Sequence, residues 1–250
     1  MVLCGLVLLG ACVLSLWHTL DKDDEAAASP PIPAEEGPPI PSEGFENLFV
    51  DGMTAHTDKG EALTLSVADA GLLDVPSGRL IACDPYVQAD DHDYEKPFVV
   101  TVPPGRYPVT VAKATLETGA EYVTAVRLTI RDEPIAEWRL ATRGTENAAD
   151  LAPDSFYGFT VDAGTGAFLD AAALPALTRV AGGPDSRLAT VSTRDDGELV
   201  WNLRDEVGGM NVVAYLSGYG DGAYPTWIGY TEAGEPAMFV SDMMVGLPPP

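Results

Sequence analysis

Beyond residue 44, apolar and polar side chains alternate along most of the chain with a period of two, the pattern of strands that bury one face. The alternation predicts strands over residues 63–67, 79–83, 98–102, 107–116, 122–131, 134–141, 156–161, 167–169, 198–203, 212–216, 227–230 and 236–240. Turn residues punctuate them: Pro76-Ser77-Gly78, Pro103-Pro104-Gly105, Arg131-Asp132-Glu133-Pro134, Asp162-Ala163-Gly164-Thr165-Gly166 and Thr231-Glu232-Ala233-Gly234. The last three read as hairpin turns between their flanking strands. Residues 56–70 are ambiguous as a whole. A helical pattern occurs only at 170–177, with Asp170 as N-cap and Pro175 limiting its length. The expected fold is therefore mainly β: a sandwich or barrel-like antiparallel domain with one short helix, over residues 45–250.

The N-terminus follows another rule. Residues 1–20 hold no charged side chain, and as a helix they would span roughly 30 Å, enough for a bilayer. Two modes of membrane attachment remain open. Leu9-Gly10-Ala11-Cys12 resembles a lipobox, with Cys12 as the lipidation candidate of a cleaved signal. The apolar run continues through Val13-Leu14-Ser15-Leu16-Trp17, as in a retained anchor, and no Lys or Arg precedes it. Residues 21–44 form an acidic, Pro-rich linker with Pro30-Pro31-Ile32-Pro33 and Pro38-Pro39-Ile40-Pro41. At about 3 Å per residue such a stalk reaches up to roughly 70 Å. A bacterial cell-envelope location, extracytoplasmic and membrane-anchored, is the expectation.

Charge narrows the partners. With 14 basic against 38 acidic residues the net charge is -24, a field that repels phosphate backbones, so no nucleic-acid partner is expected. A membrane contact through the N-terminus and a protein, peptide or small-molecule ligand are compatible with it. Of three cysteines only Cys83 lies in the body, in an apolar run where an inert buried thiol is expected. No Gly-x-Ser-x-Gly, His-Glu-x-x-His, Cys-x-x-Cys or dinucleotide motif occurs.

Candidate chemistry rests on a few positions. Asp84 ends a strand before Pro85 and suits a turn cap, with catalysis as its rival role. Asp90-Asp91-His92-Asp93 with Glu95 offers metal-type ligands without the alternating spacing that folds around one ion, and reads as a solvated acidic loop. The stretch Gly218-Tyr219-Gly220-Asp221-Gly222-Ala223-Tyr224-Pro225-Thr226-Trp227 gathers glycine, acid and aromatic residues. There Asp221 suits an acceptor or ion ligand, and Tyr224 and Trp227 suit stacking on a sugar, peptide or small ligand, or packing the end of the β body. Arg79 and Arg106 are scarce cations in reach of Asp84, Asp162 or Asp221 if those turns converge.

Four ordered segments carry a family resemblance. They are Pro76-Ser77-Gly78-Arg79-Leu80-Ile81-Ala82-Cys83-Asp84-Pro85; Val102-Pro103-Pro104-Gly105-Arg106-Tyr107-Pro108-Val109; Phe156-Tyr157-Gly158-Phe159 with Val161-Asp162-Ala163-Gly164-Thr165-Gly166; and Gly220-Asp221-Gly222-Ala223-Tyr224-Pro225-Thr226-Trp227. Together they resemble the uncharacterised bacterial domain of unknown function 4241 family over about residues 72–245. The resemblance implies a shared fold and no activity. The expectation is a binding or interaction module using the glycine–aromatic loop, with Asp84, Arg106, Asp162, Asp221, Tyr224 and Trp227 as ligand-binding candidates. A carboxylate-based hydrolase, with or without a divalent metal, and a structural envelope protein are the alternatives; no cofactor, catalytic residue or metal ligand is assigned.

Overall fold

The computed structural model describes residues 32–33, 43–57, 59–152, 155–194 and 196–245. The N-terminal hydrophobic segment, Cys12 and most of the Pro-rich linker lie outside these residues. Fourteen strands are seen among those described: β1 (Ile32–Pro33), β2 (Thr54–His56), β3 (Ala62–Val75), β4 (Leu80–Cys83), β5 (Gly105–Leu116), β6 (Glu121–Thr129) and β7 (Glu137–Leu140). Then come β8 (Ser155–Phe156), β9 (Gly158–Val161), β10 (Thr165–Asp170), β11 (Val200–Arg204), β12 (Asn211–Leu216), β13 (Gly222–Tyr230) and β14 (Pro236–Asp242). Every pairing is antiparallel. The mainly-β expectation holds.

A large sheet runs β2-β3-β5-β6-β14-β13-β7, with β9 paired to the first half of β13, and curls into a half-barrel. A small sheet runs β11-β12-β10-β4. Its alternate side chains go to two cores. Leu80, Ala82, Phe168, Val213 and Tyr215 meet the large sheet, while Ile81, Cys83, Leu169, Val212 and Ala214 meet a layer of short helices. All six residues of β10 are buried, because both faces are covered. Each fully buried Leu or Phe in these layers stabilises the fold by about 1.5–3 kcal/mol.

The ambiguous stretch resolves as β2 and the first part of β3. A bulge between Asp69 and Leu72 bends β3, and side chains from the small sheet satisfy the carbonyls it frees. Asn202 donates to the carbonyls of Ala70 and Leu72, and Asn211 donates to that of Leu72. At the turn before β4, Gly78 has φ 72, and a Cβ there would lie 2.2 Å from the Val102 carbonyl oxygen.

Three expectations are corrected. The turn Arg131–Pro134 does not close a hairpin, since the β13–β14 hairpin inserts between β6 and β7. The connection instead crosses its end, with Ile130 and Arg131 donating N–H to Ala237 and Arg131 pairing with Glu235 at 2.8 Å. The turn 162–166 is likewise not a hairpin, because β9 belongs to the large sheet and β10 to the small one. Residues 98–102 form one bridge rather than a strand, Phe98 opposite Arg143, and tie Leu80 and Gly78 to the large sheet. Adjacency of apolar runs does not specify partners when a later hairpin supplies a better one.

The predicted helix begins as a turn over Ala171–Ala173 capped by Asp170, whose Oδ1 accepts the Ala172 N–H at 2.8 Å. It continues past Pro175 to Ala181. Proline in the first turn lacks an N–H that would have no partner anyway, so it starts this helix instead of limiting it. Numbered along the chain, the helices are α1 (Pro85–Asp90), α2 (Leu174–Ala181) and α3 (Arg187–Ser192). The two additional six-residue helices are too short to show a periodic signal; α3 is held by a Ser186 cap. No described helix is long and apolar enough to cross a membrane.

Candidate functional site

The acidic turns meet at one place. Asp84 leaves β4 in an extended conformation and caps α1, its Oδ1 accepting N–H groups of Tyr86 at 2.8 Å and Val87 at 3.3 Å. Its Oδ2 accepts those of Asp162 at 3.0 Å and Ala163 at 2.8 Å. Asp221 Oδ1 accepts the next amide, Gly164, at 3.0 Å. Three consecutive backbone N–H groups thus face two carboxylates, an anion-binding type of concavity filled by the chain's own acids. Asp84 is fully buried, while the Asp162 side chain contributes none of these bonds.

Arg106 is elsewhere. It pairs with Asp74 on the adjacent β3 at 2.7 Å, and Arg204 takes the other oxygen of that carboxylate at 2.7 Å. Tyr224 sits beside the acidic joint, its hydroxyl donating to the carbonyls of Ser217 at 2.8 Å and Gly220 at 2.7 Å. Burial pushes its hydroxyl pKa up. It shapes the 217–221 loop from below and contacts Phe159. Exposed Tyr219 instead lies against Tyr122, ring centres 5.0 Å apart.

Trp227 faces away from Tyr224. Three residues apart on one strand, the two side chains leave opposite faces. The Trp227 ring stacks on Phe45 at 5.2 Å, and Phe45 meets Trp138 edge-on at 4.9 Å. Trp138 donates its indole N–H to Glu46 at 3.1 Å and packs over Gly229, where a Cβ would come 3.1 Å from its ring. Tyr230, three positions beyond Trp227 and in unbroken register with Glu137 of β7, leaves the other face of β13, with the Arg139 guanidinium 4.7 Å above its ring.

Trp138, Trp227 and Tyr230 are among the residues that line a cleft of about 600 Å³ at the β7–β13 edge, closed on the other side by Glu146, Asn147, Ala148, Leu151 and Ser155. Leu151 and Ile228 add apolar surface, and Thr142, Asn147 and Ser155 supply polar groups. The volume and the mixture suit a small ligand or a short segment of chain. The Trp227 indole N–H is buried and has no partner among the described residues. A second cleft of about 520 Å³ lies beside α1 and α3, where Tyr86 and Ser192 hydroxyls bond across at 2.9 Å.

Behind the aromatic cleft lies a buried ionic group. Arg143 Nη1 is 3.3 Å from Glu95, and its backbone N–H donates to Glu146 at 2.7 Å. Arg143 also donates to the Gly158 carbonyl at 3.1 Å and covers the Phe98 ring. Burial raises the Glu95 pKa and Arg143 opposes the rise. Glu95 therefore leaves the acidic run in which its sequence position puts it, while Asp93 pairs outside with Lys96 at 2.7 Å. Cys83 is fully buried, and burial lifts its thiol pKa well above the ordinary value, which suits an inert thiol.

Nothing in local spacing announces this cleft. Trp138 and Phe45 lie far from Trp227 in sequence, and only the insertion of β13 beside β7 joins them. The alternation of β13 nevertheless carries a usable signal: it separates Trp227 from Tyr224. A family model described as Protein of unknown function (DUF4241) matches residues 73–241, more than half of the chain. No curated protein and no solved structure matches it.

Proposed function

The chain belongs to the family described as Protein of unknown function (DUF4241), and from the geometry we propose that it is a binding module whose working surface is the aromatic cleft. The observation that carries this reading is a cleft of about 600 Å³ whose lining includes Trp138, Trp227 and Tyr230. Flat rings offer area at low side-chain entropy cost, and the adjacent hydroxyl and amide groups orient what they cover. The carboxylates of Asp84 and Asp221 take part in another task, joining α1, the 162–164 turn and the 217–221 loop. Trp227 remains the ligand contact among the sequence candidates; Asp84, Asp162, Asp221 and Tyr224 hold the joint, and Arg106 an ion pair on the sheet.

The reading keeps the anchor at residues 1–20 and the Pro-rich stalk, which would hold the module outside the bacterial membrane. Its acidic surface is consistent with neutral or peptide ligands and opposes anionic ones.

Screening neutral oligosaccharides, short peptides and metabolites against the full chain by thermal shift tests the proposal. A ligand at a hundred times its Kd adds about 2.7 kcal/mol to the folded state. The shift is expected to vanish in Trp138→Ala and to persist in Asp221→Ala. A hit abolished by Asp221→Ala and unaffected by Trp138→Ala would move the site to the acidic turn.

A further inference from the structure

We propose that the second cleft, beside α1 and α3, binds a small organic cation: a primary ammonium carried on a short apolar body. This cleft shares no lining residue with the aromatic one and stands independently of it. Its walls, around about 520 Å³, come in part from segments that the acidic joint fixes. Asp84 accepts the N–H of Tyr86 at 2.8 Å and that of Ala163 at 2.8 Å, so one fully buried carboxylate sets the spacing of two of the walls. A third wall is α3, and the Tyr86 hydroxyl meets Ser192 across the gap at 2.9 Å. Ala189, Pro184 and Leu216 supply apolar surface, and the volume suits a small molecule.

The chemistry of the ligand follows from where the protons are. Thr165 donates its hydroxyl to the Ala163 carbonyl at 3.3 Å, and Thr193 donates to that of Ala189 at 2.9 Å. Ser192 turns its proton toward the same Ala189 carbonyl at 3.4 Å, which leaves Tyr86, the more acidic hydroxyl, as donor across the gap. The amides of Ala163, Ala189 and Thr193 are likewise spent, on Asp84, Ser186 and Val191. What these groups still offer is oxygen lone pairs. Asp90, at the end of α1, is the one ionised side chain in the lining; it is exposed, and no described Lys or Arg pairs with it. A lining of acceptors with a single carboxylate matches a group that has three N–H donors, a positive charge and no acceptor, as a primary ammonium does. The net charge of -24 draws cations toward the surface. A carboxylate or phosphate ligand would find no cation in this lining.

The test uses n-hexylamine as probe, with n-hexanol and hexanoate as matched controls, on the full chain at physiological salt by saturation-transfer NMR. Hexylamine should bind with a Kd on the order of millimolar, as suits a fragment of this size, and hexanol and hexanoate about tenfold more weakly or not at all. Asp90→Asn should weaken the amine about fivefold. Glu117→Gln makes the same charge change on the exposed β5–β6 turn and should weaken it by less than about twofold. Ala189→Leu fills the cleft and should remove binding with the circular dichroism unchanged; Ala163→Leu fills it from another wall if the first variant does not fold. Equal losses in Asp90→Asn and Glu117→Gln would reduce the binding to bulk charge and overturn the proposal. So would equal binding of hexanol, or binding that survives a folded cleft-filling variant. Tighter binding of Nα-acetyl-lysine methylamide than of hexylamine would assign the cleft to a protein side chain and overturn the small-molecule reading. Loss of amine binding in Trp138→Ala with retention in Asp90→Asn would move the cation to the aromatic cleft, sinking this proposal while leaving that reading in place.

Discussion

Replacing Asp84 by alanine should cost the fold about 2–4 kcal/mol, because one carboxylate serves two elements at once. Losing the cap of α1 accounts for about 0.5–2 kcal/mol. The amides of Asp162 and Ala163, held at 3.0 and 2.8 Å, add about 0.5–1.5 kcal/mol each, since partial access to water softens their loss. Against a typical total stability of about 5–15 kcal/mol this is large but survivable. Urea unfolding followed by circular dichroism measures it; with a slope of ~2 kcal/mol per molar, the midpoint should fall by about 1–2 M. Asp221→Ala, which gives up one bond at 3.0 Å in an exposed loop, should cost no more than about 1 kcal/mol. A midpoint for Asp84→Ala unchanged within error would refute the joint, and would return the carboxylate to the list of reactive groups.

Other consequences follow from buried charge. Asp242 is fully buried, with one oxygen accepting the Met244 N–H at 2.8 Å and the other without a partner among the described residues, and burial lifts its pKa from 3.8 to about 7. Between those values the folded chain keeps a proton that the unfolded chain has released, so this group's contribution falls as pH rises and levels off above about pH 7. Asp242→Asn should therefore be the more stable protein at pH 8, by up to ~4 kcal/mol, with the difference closing toward pH 4 in paired urea titrations; parallel profiles would contradict this. Arg143→Met leaves Glu95 and Glu146 buried without their cation and should cost about 3–5 kcal/mol, whereas also changing both glutamates to Met or Leu should recover most of it. Gly78→Ala places a methyl 2.2 Å from a carbonyl oxygen at φ 72 and should lower the melting temperature; an unchanged melt would show that the turn can move.

The sequence is informative where partners are local. The β13–β14 hairpin follows from Thr231–Gly234, and the helix start from Asp170, because each signal and its structural partner lie within a few residues. Residues 131–134 and 162–166 carry equally good turn chemistry, yet each connects strands with different neighbours. Sheet order depends on burial of both faces, which no local pattern encodes. The convergence at 162–164 is likewise a tertiary event, although Asp84 as a cap was legible from Asp-Pro alone. Glu95 looked like the end of an acidic run because its partner, Arg143, lies 48 positions away. The glycine-rich composition around Tyr224 and Trp227 suggested one surface, while strand periodicity places them on two.

The most direct measurement compares ligand-induced thermal shifts in the full chain, Trp138→Ala and Asp221→Ala, using the compound that most raises the melting temperature of the unmodified protein. Loss of the shift in Trp138→Ala with retention in Asp221→Ala is the result predicted for a cleft-based binding module. Retention in Trp138→Ala with loss in Asp221→Ala would contradict it.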